Sequence, residues 1–294
     1  MNCEAITRLI ARIAVAAALA CPTAVLHAEP EPRQDAPLPP GFDLKPLQRQ
    51  VEGVYAHSQG EMFNVLSRAT LEASCRAAQA AGGPARMPRF APGSEEPLKF
   101  EVRRYSSADG KQSASYSEKE HVACTEADLK ADGPCACHYR KVSEHSLYLE
   151  RSQGASTERW QLTLASGSGR HSRGPAGTTA LAAPAEPTLQ TLYGAVAGSR
   201  ELAGQRCQLR RIERGNSRTE TCLIQPAPGL PETLHGRQLA QSVFQLQGPQ
   251  AGQRLRWTET LQLLPRARMD AAVFEVPAGI TFKPGPVSNR EAQP

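Results

Sequence analysis

The sequence predicts an α+β fold in which a large antiparallel sheet is the main element. Two patterns lead to this prediction. Apolar residues recur at helical spacing between residues 45 and 81, and from Phe100 onward they alternate with polar residues at a period of two. Segments rich in glycine and serine separate the alternating runs, as expected for loops between strands. We therefore expect an N-terminal helix packed on half-buried antiparallel strands.

The first 28 residues have the features of a secretory signal. Arg8 and Arg12 precede an apolar run from Ile13 to Cys21, and small residues surround Ala28. Leu19-Ala20-Cys21 also partly matches a bacterial lipobox, whose cysteine would carry a lipid. We expect cleavage after Ala28 and a periplasmic or secreted protein, with a lipid anchor at Cys21 as the alternative.

Length and composition exclude several classes of protein. The chain has 294 residues, 40% of them hydrophobic and 21% charged, which is typical of a globular protein and not of a disordered one. Because it lacks an apolar stretch of about 18 to 20 residues, a multi-pass membrane protein is excluded, and we expect peripheral membrane contact or none. Cleavage removes Arg8, Arg12 and Glu4, so the net charge falls from +5 to +4. Export and interleaved acidic residues argue against nucleic acid as a partner.

After the signal, the predicted organisation is simple. Residues 29–43 are rich in proline and acidic residues, which predicts an extended tether. One or two helices follow over 45–81 and end at Gly82-Gly83-Pro84. A single domain is expected over 44–284, and residues 285–294 are expected to form a disordered tail.

The strand region contains two further features. Residues 165–186 are rich in glycine, serine and alanine, which predicts a flexible loop. A short helix is expected from Pro231, because proline suits a first helical turn and Leu234, Leu239 and Val243 form a partial apolar stripe.

Residues 204–224 are expected to form a β-hairpin closed by a disulfide. Two alternating strands flank Arg214-Gly215-Asn216-Ser217, in which glycine and asparagine tolerate a tight turn. If Glu213 and Asn216 flank the turn, Cys207 lies opposite Cys222, and the two are expected to pair.

Four more cysteines follow the signal, and an exported chain is expected to pair them. They are Cys75, Cys124, Cys135 and Cys137. Three connectivities are open, and bonding between adjacent strands favours Cys124 with Cys135 or Cys137. The Cys-x-Cys-His run ending at His138 contains metal-ligand types, but its spacing differs from that of structural zinc sites. We expect disulfides, with neither a metal nor a cofactor.

The C-terminal half resembles a known group of proteins. The resemblance rests on Gly204-Gln-Arg-Cys207, on Glu220-Thr-Cys222, on a strand ending in Glu259, and on the run from Met269 to Gly279. These pieces are similar to exported members of the superfamily of the lipoprotein carriers LolA and LolB, over roughly residues 190–284. The resemblance implies a half-open antiparallel barrel whose concave face holds acyl chains or another apolar ligand, and it implies no catalytic residues.

The leading functional hypothesis is therefore a non-enzymatic envelope protein that binds a lipid, a lipoprotein or another apolar ligand, or that senses envelope components. Apolar strand residues are the candidates for lining its cavity: Trp160, Leu162, Leu164, Leu255, Trp257 and Phe274. The alternative is an interaction module with a packed core, which docks an envelope protein through the hairpin arginines Arg206, Arg210 and Arg211. A redox or metal protein using Cys135, Cys137 and His138 is the weaker alternative.

Overall fold

A computed structural model describes residues 33–64, 66–83, 86–124, 133–175, 186–225 and 237–284. The predicted signal peptide, residues 29–32 of the tether and the predicted tail over 285–294 lie outside these ranges. No helix within the described residues is long and apolar enough to cross a membrane.

A mixed sheet of 14 strands dominates the described chain. In chain order the strands are β1 Gln34–Asp35, β2 Gln50–Met62, β3 Arg89–Phe90, β4 Leu98–Ser107, β5 Gln112–Ala123, β6 His138–Gln153, β7 Ser156–Thr163, β8 Ser168–Pro175, β9 Ala195–Leu202, β10 Gln205–Arg214, β11 Ser217–Ile224, β12 Gln238–Gln245, β13 Arg254–Asp270 and β14 Thr281–Pro284. The helices are α1 Arg68–Ala80 and α2 Glu186–Tyr193, and 3-10 turns span Gly133–Ala136, Leu164–Ser166 and Ala271–Phe274.

The order of the strands makes the sheet open. It runs β14-β8-β7-β6-β5-β4-β2-β13-β12-β11-β10-β9, with β1 beside β13 and β3 beside β6. Neighbours on the main path are antiparallel except β14 and β8, and the short β1 and β3 also pair in parallel. The prediction of a sheet-dominated α+β fold is correct, whereas the half-open barrel of the lipoprotein carriers stays a prediction.

The N-terminal helix was predicted too long, because residues 50–62 form β2 rather than a helix. Only α1 is helical, and it begins after Ser67, whose side chain accepts a hydrogen bond from the Thr70 amide. Strand β2 lies between β4 and β13 and packs closely on both. A methyl group at Gly53 would lie 1.9 Å from the carbonyl oxygen of Ser106, so this crowded position requires glycine. Tertiary packing overrides the helical spacing in this segment.

The tether prediction is also corrected from Arg33 onward. Strand β1 pairs with β13, and Phe42 is buried against Tyr116 with ring centroids 4.7 Å apart. Apolar contacts therefore make this segment part of the fold.

Two predicted features of the C-terminal half are corrected as well. In the predicted loop over 165–186, residues 168–175 form β8, which pairs with β7, and Glu186 begins α2. Residues 176–185 lie outside the description. Of the helix predicted from Pro231, residues 231–236 also lie outside the described ranges. Leu239 and Val243 lie on β12, between β11 and β13. Pairing with β11 and β13 makes this segment a strand, although its apolar residues are spaced partly as in a helix.

Buried side chains form two clusters. The tyrosine core contains Phe42, Tyr55, Tyr105, Ala114, Tyr116, Leu147, Leu149, Leu162, Leu264, Ala267, Met269, Val273 and Phe274. The cysteine core contains Leu202, Cys207, Cys222, Ile224, Leu239, Ala240 and Leu263. Leu263 and Leu264 are consecutive on β13 but belong to different cores. Because successive strand residues point to opposite faces, β13 is buried on both sides.

The C-terminal half of the sheet curls. Arg200 on β9 and Glu259 on β13 form an ion pair of 2.9 Å, although β10, β11 and β12 lie between their strands. On a flat sheet four strand spacings would separate them by about 19 Å. The contact therefore requires strong curvature, and bulges in β9, β12 and β13 supply local bends.

The described residues contain three disulfides, including the predicted Cys207–Cys222 pair. The predicted hairpin register is wrong: the turn consists of Gly215, at a φ of 55°, and Asn216, so Cys222 lies opposite Leu209. The bond joins diagonal neighbours with Cα atoms 5.4 Å apart, which suits a disulfide. The four remaining cysteines pair as Cys75–Cys135 and Cys124–Cys137.

Candidate functional site

The six residues predicted to line an apolar cavity do not share one space. Leu162 and Phe274 are 0% and 3% exposed inside the tyrosine core, and Trp160 and Leu164 pack against it. Leu255 and Trp257 lie on β13 and belong to neither core. Four of the predicted lining residues are therefore packing residues of the fold.

Trp160 illustrates how completely its surroundings are filled. Its ring stacks on His171 with centroids 4.8 Å apart, and the Arg151 guanidinium lies 5.5 Å from its centroid. Two surface hollows of about 380 and 430 Å³ are lined mainly by polar residues such as Ser107, Asp109 and Glu95. Neither contains any of the six candidates, so binding of an apolar ligand stays a prediction.

Of the three predicted docking arginines, Arg210 cannot meet a partner because it is 0% exposed. Its Nη2 donates to both carboxylate oxygens of Glu186 at 2.8 and 2.7 Å, and its Nη1 donates to the carbonyl oxygen of Gly194 at 3.2 Å. These acceptors lie at the beginning and just beyond the end of α2. Arg210 thus holds α2 on the sheet, and the guanidinium lowers the pKa of the Glu186 carboxyl through its hydrogen bond.

The other two docking candidates are exposed. Arg211 forms an ion pair of 2.9 Å with Glu220, which lies directly opposite on β11. Arg206 donates a hydrogen bond to the Ser199 hydroxyl on the neighbouring strand.

Arg211 belongs to a larger surface formed by two rows of directly opposed residues. One row crosses β10 to β13 through Glu213, Arg218, Phe244 and Arg254. The adjacent row crosses β10 to β2 through Arg211, Glu220, Ser242, Trp257 and Glu61. We call Arg211, Arg218, Phe244, Arg254 and Trp257 the arginine–aromatic surface.

Arginine side chains lie over both aromatic rings of this surface. The guanidinium of Arg218 is 4.8 Å from the ring centroid of Phe244, and that of Arg254 is 5.0 Å from the ring of Trp257. The Trp257 indole also donates a hydrogen bond to Glu61. Arg254 is exposed and makes no ion pair with another described residue. Each of these arginine–ring contacts favours the observed placement of the arginine by about 0.5 to 1 kcal/mol at an exposed site.

Two residues of this surface, Phe244 and Arg254, were missed by sequence reasoning, whereas Arg218 is one of the arginines that the sequence places on the hairpin. Arg218 and Arg254 are far apart in sequence but lie in one row of opposed residues. The pairing registers near this row change after Cys222 and after Val243. Such shifts leave no pattern in the sequence, but the alternating residues around Trp257 indicated the right strand.

The residues predicted for a redox or metal site do not form one site. Cys135 and Cys137 form disulfides with different partners, so neither offers a thiolate in this oxidised form. His138 begins β6 and is exposed. Within the described ranges no group of three or more His, Cys, Asp or Glu residues could hold a metal ion.

No protein-family model and no curated protein matches this chain.

Proposed function

We propose that this chain is an exported, non-enzymatic interaction module that binds an acidic segment of another protein at the arginine–aromatic surface. The exposed Arg254, fixed over Trp257 without an ion pair among the described residues, is the observation that carries the proposal. Tryptophan and arginine are the residue types most enriched among those that dominate binding energy at protein interfaces.

Three disulfides support an extracytoplasmic site of action. Disulfides form and persist in oxidising compartments, which agrees with the sequence features of residues 1–28. We propose the periplasm, because the signal resembles bacterial signals.

The free charge of Arg254 supports an acidic partner. Arg211 and Arg218 both contact the carboxylate of Glu220, at 2.9 and 3.4 Å. With Glu61 and Glu213 the two rows hold as many glutamates as arginines, but no carboxylate of another described residue pairs with Arg254. A carboxylate that approaches Arg254 gains a charge-assisted and geometrically specific contact.

The test is site-specific photo-crosslinking in cells. A photoreactive phenylalanine analogue at Phe244 should give a discrete adduct with another protein, and the same analogue at Tyr148 should not. Tyr148 is a matched control, because it is an aromatic residue on the same sheet that is 39% exposed and lies outside the surface.

Arg254→Glu should abolish the adduct at Phe244, whereas Arg206→Glu should not. Once the partner is isolated, Trp257→Ala should weaken its binding by roughly tenfold or more. Equal adducts from positions 244 and 148, or an adduct that survives Arg254→Glu, would refute the proposal.

A further inference from the structure

A second basic site lies under α2, on side chains that are buried rather than exposed. Arg210, Thr221 and Arg237 are 0%, 1% and 2% exposed. Arg210 and Thr221 are directly opposed on β10 and β11, so their side chains share one face about 5 Å apart at Cβ. Arg237 comes immediately before β12, whose first residue pairs with β11. These three residues are called the buried basic site.

Each of the three side chains has a buried polar atom without a hydrogen-bond partner. They are Nε of Arg210, Oγ1 of Thr221 and Nη1 of Arg237. Other groups of the two arginines are bonded: Arg210 contacts Glu186 and Gly194, and Arg237 Nε donates to the carbonyl oxygen of Ile224 at 2.9 Å. Leaving a buried polar atom unbonded is costly, so three together in one small region indicate a missing acceptor.

The charges in the same region do not balance. Burial lowers the pKa of the Arg237 guanidinium, and the positive charge of Arg210 lowers it further. The only carboxylate bonded to either arginine within the described residues is Glu186, whose side chain is 64% exposed. The Tyr193 side chain also faces Arg237, but it is uncharged at neutral pH because burial raises its pKa. Within the described residues, only Arg210 of the two buried cations pairs with a carboxylate, and that carboxylate lies mainly in solvent.

We propose that the buried basic site binds a small oxyanion of the phosphate and sulfate class. Such an ion accepts hydrogen bonds at several oxygens, which matches the buried, unbonded Nε of Arg210, Nη1 of Arg237 and Thr221 hydroxyl. Guanidinium groups are suited to oxyanions because their planar forks offer parallel donors. Arg210 Nη2 already donates hydrogen bonds to the two oxygens of the Glu186 carboxylate, so one edge of this guanidinium binds an oxyanion group.

The bound ion would also secure α2. Arg210 links both ends of that helix to the sheet, and an ion bonded to its Nε would hold this side chain in place. This site is separate from the arginine–aromatic surface, since Arg210 and Arg211 are consecutive on β10 and point to opposite faces.

The test is isothermal titration of the purified mature protein with sodium phosphate and sodium sulfate, against sodium chloride at equal ionic strength. We expect one saturable oxyanion per chain and a melting temperature that rises with oxyanion concentration, because a ligand of the native state stabilises it by mass action. An absence of saturable binding, or an equal stabilisation by chloride, overturns the proposal.

Variants locate the site. Arg237→Gln and Thr221→Val should each weaken phosphate binding, the first by roughly tenfold or more, because it removes a charged donor. Arg206→Gln, the matched change at an exposed arginine of β10 outside both proposed sites, should leave it unchanged. Circular dichroism shows whether each variant folds. If Arg237→Gln does not fold, the phosphate affinity of Thr221→Val is the test of the site. Wild-type affinity in a folded variant of the site, or equal weakening by Arg206→Gln, contradicts the assignment.

Discussion

The two cores of the sheet achieve stability by different means. In the tyrosine core, Tyr105 and Tyr116 donate hydrogen bonds of 2.7 Å to the carbonyl oxygens of Pro37 and Val273, so aromatic side chains fasten both the early and the late segments to the sheet. The cysteine core is smaller and depends on the Cys207–Cys222 bond, with Arg210 fixing α2 nearby. The first region is stabilised by packing, and the second by a few covalent and charged contacts.

This contrast has a functional consequence. Regions with few buried apolar contacts open more readily, and binding elements are commonly drawn from them. Both proposed binding regions lie in the half of the sheet from β9 to β13. The half built around the tyrosine core thus acts as the scaffold.

The largest effect is expected from a cavity in the scaffold. Leu147 on β6 is 1% exposed in the tyrosine core, so Leu147→Ala should lower the free energy of unfolding by about 2 to 5 kcal/mol in urea denaturation. Tyr148→Ala removes the exposed neighbour and should change it by less than about 1 kcal/mol. Similar losses from both variants would show that the tyrosine core is not the main support.

Loss of the C-terminal disulfide should come next. The bond closes a separation of 15 residues, for which the chain-entropy model gives about 3 kcal/mol. The double variant Cys207→Ser with Cys222→Ser should therefore melt roughly 6 to 12 °C lower in calorimetry. An unchanged melting temperature would argue against any role of this bond in stabilising the cysteine core.

A smaller and more local effect is expected at α2. Arg210→Met keeps apolar bulk but removes the contacts to Glu186 and Gly194, so the amides of α2 should exchange with deuterium roughly tenfold faster. Strands β4 to β6 should be unaffected. Arg206→Met is the control, and if it accelerates α2 equally, Arg210 does not anchor the helix.

The smallest effect concerns acid sensitivity at Asp270. Burial alone would raise the pKa of this carboxyl, but hydrogen bonds from the Ala272, Leu47 and Gln48 amides outweigh burial and lower it. The folded pKa thus lies below the unfolded value of about 3.9, and the contribution to stability is complete above that pH and is lost as the pH falls through the folded pKa.

Asp270→Ala should cost about 1 kcal/mol at pH 7, since it removes the cap of the 3-10 turn at 271–274. As the pH falls from about 5 to 2, the free energy of unfolding of Asp270→Asn should decrease less than that of the wild type. If the urea midpoint of Asp270→Asn follows the same pH profile as the wild type, this carboxylate does not contribute to acid sensitivity.

Strands that alternate plainly could be predicted from the sequence, and strands buried on both faces could not. Leu147 and Leu149 alternate with polar residues because one side of β6 faces the core. Val54 and Tyr55 on β2 face different cores, so no alternation remains, and the residual spacing imitates a helix. Disulfide pairing of the cysteines was predictable from cysteine usage.

Candidate site residues were harder to predict for a related reason. The hairpin arginines look alike in sequence, yet alternation on β10 buries Arg210 and exposes Arg211. Which of them is buried depends on α2, and the chain gives no local signal for where that helix docks. Likewise Trp160 and Trp257 carry the same apolar pattern but lie in different surroundings.

The central claim is that a stable scaffold supports a less stable half that binds partners, and native-state hydrogen exchange tests it most directly. We predict that amides in β4, β5 and β6 exchange only through global unfolding, while amides in α2 and β9 exchange through local openings of lower free energy. Equal protection across these elements, or lower protection in β4 to β6 than in β9, would contradict the account.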